Sequence, residues 1–329
     1  MFDKVYKYIA HARLMQIVIL TTIVSTSGFT QEFISPVHST NQYINQLIFY
    51  RPYTQSAVIK EKASINIDIS QSNIFQTSDN LRADFGLTTL DLTYYYPLSD
   101  TLELSFNYPL YYASKGFLDN FLDTVHDTLG ITTTRLNDSH VANQFSYIVT
   151  DKIHKTSAYF ASGNSQIEIK YALYKKDDFF ASVNAGVKIP LGNTSDGFTS
   201  GKVDVMTGLQ LQKNYETISW IANFNLSYNG ERELSSDITS ERLRYFVYLA
   251  NKFTIPLESL SGLDFLLAYQ FSSAPYEGSD VKFNSYTHLL QFALRKNLKE
   301  GEYIDFFFNQ NTIPRHNEAD VTFGLSYHF

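Results

Sequence analysis

Residues 179–189 read FFASVNAGVKI, and this stretch indicates the fold most directly. Apolar side chains occupy every second position from Phe179 to Ile189, and from Ser182 onward the positions between them are polar or glycine. Successive side chains of a β-strand point to opposite faces, so a period of two is typical of a strand with one apolar and one polar face. The sequence therefore predicts an all-β protein, because the same alternation recurs in residues 64–69, 102–108, 166–173 and 218–226.

The alternation continues to the last residue of the chain. Val321, Phe323, Leu325, Tyr327 and Phe329 are apolar or aromatic, and the residues between them are Thr, Gly, Ser and His. This ending resembles the closing strand of bacterial outer-membrane β-barrels, in which a terminal Phe is recognised by the assembly machinery. The resemblance implies a transmembrane antiparallel β-barrel whose apolar faces contact outer-membrane lipid and lipopolysaccharide. It also implies the assembly machinery as a partner, through Phe329.

The composition excludes several classes of protein. The 329 residues include no Cys, which rules out disulfide scaffolds, thiolate zinc sites and cysteine nucleophiles. A mean hydropathy of -0.19 is too polar for a helical membrane protein, whereas 24 Tyr and 26 Phe are too many for a disordered chain. The formal charge of -7 argues against nucleic acid as a partner, because no surplus of Lys and Arg is present to replace counterions.

The first 30 residues have the layout of a secretory signal peptide. Lys4, Lys7 and Arg13 precede an uncharged run at residues 14–24, LMQIVILTTIV, which is too short to span a membrane as a helix. We predict cleavage between residues 27 and 31; the alternative interpretation is a core helix of a cytosolic protein. The predicted location is the outer membrane of a Gram-negative cell. The predicted domains are a signal peptide at 1–30, an N-terminal periplasmic segment at 31–59 and a β-barrel at 60–329.

The lengths of the connections predict the number of strands. Outer-membrane barrels have short periplasmic turns and longer external loops, and the connections counted back from Phe329 alternate between long and short eight times. Twelve strands follow, with both chain ends in the periplasm; ten and fourteen strands are the alternatives. A change of phase within residues 81–96 is interpreted as a bulge or a misplaced boundary. The predicted strands are 60–70, 83–96, 101–112, 165–174, 179–190, 202–212, 217–228, 242–254, 263–272, 286–295, 302–309 and 320–329.

Residues 113–164 form a predicted insertion without a spanning strand. Within it, residues 116–130 have apolar side chains at helical spacing and a glycine at the end, which predicts one short amphipathic helix. The insertion resembles a family of gammaproteobacterial outer-membrane barrels of unknown function, and residues 188–205 resemble a hairpin loop of outer-membrane channel families. These resemblances support the fold and the location and imply no activity. The insertion motif consists of Gly116, Phe117, Leu118, Asp119, His126, Gly130 and Arg135.

The polar faces of the strands are predicted to enclose an interior with charges of both signs. Two interpretations stay open: the charges neutralise one another in a filled lumen, or they select the solute that passes. Twelve strands lie between packed eight-stranded barrels and sixteen-stranded aqueous channels, so we expect a narrow pore. Lys188 and Asp204 lie on neighbouring predicted strands, as do Asp264 and Arg295, so ion pairs between them are geometrically allowed. The solute-path candidates are Asp68, Asp91, Glu103, Glu168, Lys170, Lys188, Asp204, Arg244, Asp264, Arg295 and Asp305, and Arg242 and Lys252 are also placed inside.

The leading functional hypothesis is a narrow channel or uptake pore for a small solute. One alternative is an outer-membrane hydrolase that uses His126 or His154 with a nearby Ser. Another is a structural or adhesive surface protein with long loops at 230–241 and 273–285. No catalytic residue, metal site or cofactor is assigned. The acidic stripe Asp119, Asp123 and Asp127 is interpreted as a solvated helix face, and Tyr and Phe near strand ends, including Tyr111 and Tyr276, as interfacial girdles.

Overall fold

In the residues that it describes, the computed structural model has eighteen strands and the short helix α1 (Ile44–Leu47). Among the residues described, no helix combines the length and the apolar character needed to cross a membrane. The predicted signal peptide lies outside the described part of the chain. The structure describes residues 41–78, 81–115, 118, 120, 124, 127–128, 144–149, 152–215, 218–235, 238–254, 263–277, 286–298, 301–311 and 321–329.

The strands follow the predicted order, and most barrel strands lie close to the predicted ranges. In chain order they are β1 (Ser64–Ser78), β2 (Leu81–Ser99), β3 (Leu102–Ser114), β4 (Ser146–Val149), β5 (Ile153–Lys155), β6 (Tyr159–Ser162), β7 (Asn164–Lys176), β8 (Phe179–Pro190), β9 (Asp204–Asn214), β10 (Ile218–Tyr228), β11 (Glu233–Ser235), β12 (Ile238–Ser240), β13 (Leu243–Thr254), β14 (Leu263–Ser272), β15 (Tyr276–Glu277), β16 (Thr287–Asn297), β17 (Tyr303–Asn311) and β18 (Val321–His328).

Twelve of these strands pair antiparallel with their neighbours and close into a barrel, which confirms the predicted fold. The barrel closes because β1 pairs with β18, with Asn66 opposite His328 and Asn73 opposite Val321. The remaining pairs join each barrel strand to the next one along the chain. The other strands do not enter the wall: β4 and β6 extend the edges of β2 and β3, β5 pairs with β4, and β11, β12 and β15 form a small separate sheet.

The two ends of the barrel differ in the lengths of their connections. One end, here called the short-turn end, carries tight connections such as residues 100–101 and 177–178. The opposite end, the loop end, carries longer connections such as residues 191–203 and 229–242. The β1–β2 hairpin also lies at the loop end and extends beyond the predicted strand boundaries. The C-terminal residue Phe329 lies at the short-turn end, where its backbone bonds to Ile65.

An apolar belt surrounds the outside of the barrel. Leu294, Phe306, Leu325 and Ile69 stand side by side on four neighbouring strands. Each of these side chains is largely exposed, and Leu325 has 54% of its surface accessible. An apolar belt on the outer face of a closed barrel is what contact with lipid requires, because strands alternate apolar-out and polar-in. The outward stripes of the sequence therefore form a surface suited to acyl chains.

Replacing Leu325 by Arg is expected to destabilise the barrel in lipid vesicles by about 2–4 kcal/mol, because the belt lies at mid-height of the wall. The matched control is Leu298→Arg, because Leu298 is similarly exposed but lies in a short turn beyond the strands. The control is expected to cost only about 0–1 kcal/mol. Urea unfolding in vesicles measures both values, and equal costs would contradict a lipid-facing belt.

The described residues between β3 and β7, which belong to the predicted insertion at 113–164, add no strand to the barrel wall. Asn120 and Thr124 are helical, and the Thr124 hydroxyl donates to the Asn120 carbonyl, as in the predicted helix. Leu118 packs against Val321, and Phe308 and Phe323 border this contact. Val321, Phe308 and Phe323 point outward from the wall. Leu118 therefore lies on the outer surface of the barrel and not in the lumen.

Of the two interpretations of residues 81–96, the bulge is wrong, and the boundaries differ from those predicted because β2 spans Leu81–Ser99. β1 and β2 pair without a break from Ser64–Tyr95 to Ser78–Leu81. Leu81 and Phe85 point inward on the same face as Asp91, and both are buried. The apparent change of phase arises because the inward face of β2 changes from polar to apolar towards the loop end, while the backbone stays regular.

Candidate functional site

Twelve charged side chains of the barrel strands point inward and are buried. Seven are acidic and five are basic, so the described wall carries a formal charge of -2. The set includes all eleven solute-path candidates. Their inward position follows from the period of two, since each lies on the polar face of its strand. The twelve are Asp68, Asp91, Glu103, Glu168, Asp204, Asp264 and Asp305, with Lys170, Lys188, Arg244, Lys252 and Arg295.

Ion pairs tie neighbouring strands together on the inside of the wall. The pair of Lys188 with Asp204 that the sequence allows is present at 2.8 Å, and both side chains are fully buried, with 0% exposure. Lys170 pairs with Glu103 at 2.7 Å between β7 and β3. A buried ion pair of this kind is strongly destabilised when one partner is removed, because the other charge is left uncompensated.

The second pair that the sequence allows is replaced by two others. Asp264 stands opposite Arg295 in register, but Asp264 forms an ion pair with Lys252 at 3.2 Å and Arg295 forms one with Asp305 at 2.6 Å. The Arg295–Asp305 pair is bidentate, which fits the planar guanidinium.

Arg242 is not in the lumen, contrary to the sequence interpretation. It has the parity of an inward residue but lies one position before β13 begins. Its exposed guanidinium contacts Glu231 and the Tyr228 hydroxyl.

The lumen is occupied by the chain itself. Residues 41–60, here called the lumenal segment, are almost all buried inside the barrel. The segment starts near the loop end, where the Thr89 hydroxyl donates to Gln42, and ends at the short-turn end, where Lys60 contacts Ser64 and His328. The sequence interpretation placed residues 31–59, and with them the start of the chain, in the periplasm. In the structure residues 41–59 lie inside the barrel, because the polar wall supplies partners for their backbone.

Charged side chains of the wall bind the main chain of the lumenal segment, and the sign of the charge decides which backbone group each one binds. The carboxylates of Asp204 and Glu103 accept hydrogen bonds from the backbone N–H groups of Tyr50 and Lys60, at 2.8 and 3.0 Å. The Lys188 ammonium donates to the carbonyl of Ile48 at 3.0 Å. Lys170 donates to another carbonyl of the segment, that of Ser56. Acidic groups thus meet N–H donors, and basic groups meet carbonyl acceptors.

Two wall amides each bind both polar groups of one backbone residue. Gln166 accepts from the Arg51 N–H at 2.8 Å and donates to the Arg51 carbonyl at 2.9 Å. Asn223 accepts from the Gln55 N–H at 2.7 Å and donates to the Gln55 carbonyl at 3.0 Å. A side-chain amide carries one acceptor and two donors, so it reproduces the pairing of a neighbouring β-strand.

Side chains of the segment complete the network. Arg51 lies 3.4 Å from Asp91, and the Tyr53 hydroxyl donates to the same carboxylate at 2.7 Å. The Tyr50 hydroxyl donates to Glu168 at 2.6 Å. Arg51 and Lys60 are the charged residues of the segment, and their formal charge of +2 balances the -2 of the described wall.

The loop end of the lumen is apolar. The segment contributes Tyr43, Ile44, Leu47, Ile48 and Phe49 to a buried cluster, here called the loop-end cluster. Burial of each large apolar side chain contributes about 1.5–3 kcal/mol, so this end provides a strong hold on the segment. The wall, the insertion and the long loops contribute Ile74, Leu81, Ala83, Phe85, Leu87, Tyr111, Ala113, Tyr147, Val149, Ile153, Ala161, Phe198 and Tyr276.

The space left beside the segment is small. A cavity of about 40 Å³ lies between the segment and the wall, lined by Tyr50, Tyr53, Asn225 and Tyr248. A space of this size holds a few water molecules. At this level the segment and the wall fill most of the cross-section.

Gly186 makes room for the segment in the wall. A side chain at this position would collide with the Tyr50 hydroxyl, because a Cβ atom built there overlaps that oxygen. Gly186→Ala is therefore expected to displace Tyr50 and weaken its bond to Glu168, loosening the segment while the barrel stays folded. The matched control is Ser182→Ala on the same inward face, because Ser182 bonds to Gln210 within the wall. Faster proteolysis of the segment in Gly186→Ala than in the control is the expected result, and equal rates would contradict it.

The structure leaves several sequence-predicted features without a described position. Gly116, Asp119, His126, Gly130 and Arg135 of the insertion motif all lie outside the described residues. His154, the second histidine of the hydrolase alternative, is exposed on β5. In the described part of the chain, no group of three or more His, Asp or Glu is placed to hold a metal ion.

The most important functional feature that sequence reasoning missed is the lumenal segment. Residues 50–60 have no regular secondary structure, so no period in the sequence indicates them. Phe198 was missed for a related reason: it lies in a loop, yet it is fully buried against Tyr111, with ring centroids 4.6 Å apart. The available signal is the apolar run LIFY at residues 47–50, which is unusual for an exposed leader.

Comparison with solved structures shows the same fold in an outer-membrane channel. An outer membrane channel from Pseudomonas putida F1 is 14% identical over 82% of this chain and 96% of its own, with a TM-score of 0.51. The NanC porin is 8% identical over 80% and 97%, with a TM-score of 0.48. The KdgM porin is 9% identical over 81% and 98%, with a TM-score of 0.41. At 14% identity the Pseudomonas putida F1 channel shows a shared fold and says nothing about a solute.

No curated protein matches the sequence. A family model does match, and it covers residues 13–329, which is nearly the whole chain. That model is described as a protein of unknown function, DUF3187, and the chain belongs to this family.

Proposed function

We propose that the protein is an outer-membrane channel for a small polar solute, closed at rest by its own lumenal segment. The proposal places the loop end outside the cell and the short-turn end in the periplasm, as is usual for such barrels. It is supported by the shared fold, the apolar belt and the polar wall. The observation on which the proposal depends is that residues 41–60 fill the lumen without pairing with any strand of the sheet. They can therefore leave the lumen without breaking the strand pairing of the barrel.

The charges of the wall determine whether the open pore prefers cations or anions. With the segment in place, Arg51 and Lys60 balance two carboxylates of the wall; without it, the inward strand residues keep a formal charge of -2, which becomes -1 when the buried Arg232 of the loop end is included. A narrow pore with excess negative charge attracts cations, because low-dielectric walls focus the field. We therefore expect the open channel to prefer cations over anions.

A reversal-potential measurement tests this selectivity. A variant without residues 41–60 is placed in a planar bilayer with a salt gradient, and the sign of the reversal potential is expected to report cation preference. Adding Asp91→Asn, which removes one wall carboxylate, is expected to reduce that preference, whereas the outward Leu325→Ala is expected to leave it unchanged. Anion preference would contradict the charge assignment. Absence of conductance would leave the hydrolase and structural alternatives standing.

A further inference from the structure

We infer that the lumen wall is a binding site for extended peptide main chain, and that the solute of the open channel is a neutral or cationic oligopeptide. The inference rests on the proposed function and names its substrate class. The lumenal segment then occupies the site in the way a ligand would, and the contacts that hold it describe what the wall recognises.

Side chains of the wall form hydrogen bonds with the main chain of the lumenal segment at several residues. Asp204, Gln166, Asn223, Lys170 and Glu103 all bond to backbone N–H or carbonyl groups of residues 50–60. These groups are the same in every non-proline residue. Recognition of this kind reads an extended backbone and tolerates different side chains, as in peptides that add to a sheet edge.

The spacing of the contacts also fits a peptide. Gln166 and Asn223 each bind the N–H and the carbonyl of one residue, and these residues are four positions apart in the segment. Residues 51–55 belong neither to a helix nor to a strand, and four residues of a fully extended chain would span about 13 Å. The two amides stand on β7 and β10, so they hold the chain at two heights from different parts of the wall.

Charge further restricts the ligand. Without the segment, the inward strand residues carry a formal charge of -2, or -1 with the buried Arg232 of the loop end, and the segment supplies +2 through Arg51 and Lys60. Arg51 meets Asp91 directly. A neutral or basic peptide satisfies the wall, whereas an acidic peptide adds like charges to a buried, poorly solvated site.

An exchange experiment on the full, folded chain tests the inference. Residues 61–63 are exposed just before β1 begins, so a protease recognition sequence inserted there is accessible after folding. Cleavage turns the lumenal segment into a separate fragment that stays bound by the same contacts. The cut protein is incubated with added peptides in urea too dilute to unfold the barrel, and mass spectrometry measures the fragment that remains.

Two probes are expected to replace the fragment: a peptide of residues 41–60 and, to a smaller extent because it misplaces the side chains of the loop-end cluster, a scrambled peptide of the same composition. The same peptide N-methylated at the positions of Arg51 and Gln55 lacks two N–H donors and is expected to exchange at least tenfold less well. Exchange by the native sequence alone would overturn the inference, because the wall would then read side chains. Equal exchange by an N-acetylated oligosaccharide would overturn it too.

Wall variants keep the test independent of channel activity. Gln166→Ala with Asn223→Ala is expected to release the cut fragment at least tenfold faster, whereas Ser182→Ala, whose bond stays within the wall, is expected to have no effect. If no peptide exchanges although the protein without residues 41–60 conducts, the inference fails and the proposed channel stands. If peptides exchange but no variant conducts, the channel proposal fails, and the wall is a peptide site without transport.

Discussion

A chain that lacks residues 41–60 is expected to conduct steadily in a planar bilayer, while the full chain is expected to be closed most of the time. The loop-end cluster buries five apolar side chains of the segment, from Tyr43 to Phe49, each worth about 1.5–3 kcal/mol. A net preference of only about 3 kcal/mol for the closed state is enough to keep the open state below one part in a hundred. Deletion is therefore expected to raise the open fraction at least about 100-fold.

Two controls separate opening from damage. A folded barrel is recognised by its shifted mobility in unheated gels, and the deletion variant is expected to retain that shift. A chain with residues 41–60 replaced by an equally long glycine–serine sequence is expected to open far more often than the full chain, because main-chain contacts alone hold it without the five side chains of the loop-end cluster. A folded deletion variant without conductance, or a full chain that conducts equally, would contradict the account.

Lys188→Met is expected to cost about 3–5 kcal/mol of unfolding free energy, because it leaves the carboxylate of Asp204 buried without its partner. The two side chains lie 2.8 Å apart with 0% exposure, and Lys188 also donates to the Ser200 hydroxyl. The double variant Lys188→Met with Asp204→Leu is expected to cost less than the sum of the single changes, because it removes both charges together. Urea unfolding in lipid vesicles measures all three values.

The matched control is an ion pair with the same N–O distance whose side chains are partly exposed to solvent. Lys155 and Asp196 are also 2.8 Å apart, but their side chains are 28% and 20% accessible. Solvent screens such a pair, so Lys155→Met is expected to cost only about 0–1 kcal/mol. If both single changes cost the same, burial does not govern the strength of the wall pairs.

The fold could be predicted because the period of two is a local property of each strand. A residue such as Glu103 shows its inward position through its own neighbours, and the whole set of inward charges follows in the same way. Partner choice was less predictable: Asp264 stands opposite Arg295 in register, yet it forms an ion pair with Lys252 on the other side. Side-chain reach and competition between neighbours decide such pairs.

The lumenal segment could not be predicted, because its conformation depends on contacts with distant residues. Tyr50 bonds to Glu168 and Asp204, which are more than a hundred positions away. The same contacts explain other errors. Tyr111 and Tyr276, interpreted as interfacial girdle residues, are buried in the loop-end cluster, where the segment and loops give the interior an apolar part. Nothing in the alternation of a strand distinguishes an apolar interior from a lipid-facing surface.

Release of the segment by voltage, with and without a tether, tests the central claim most directly. The chain has no Cys, so Ser56→Cys with Gln212→Cys provides two unique thiols at positions whose side chains now bond at 2.6 Å, and a short cleavable reagent can join them. Two charges crossing 200 mV gain up to about 9 kcal/mol, which is enough to drive the segment out. The account predicts voltage-dependent openings in the untethered protein, none with the tether, and their return after cleavage. Openings that persist with the tether, or no openings in either state, would contradict it.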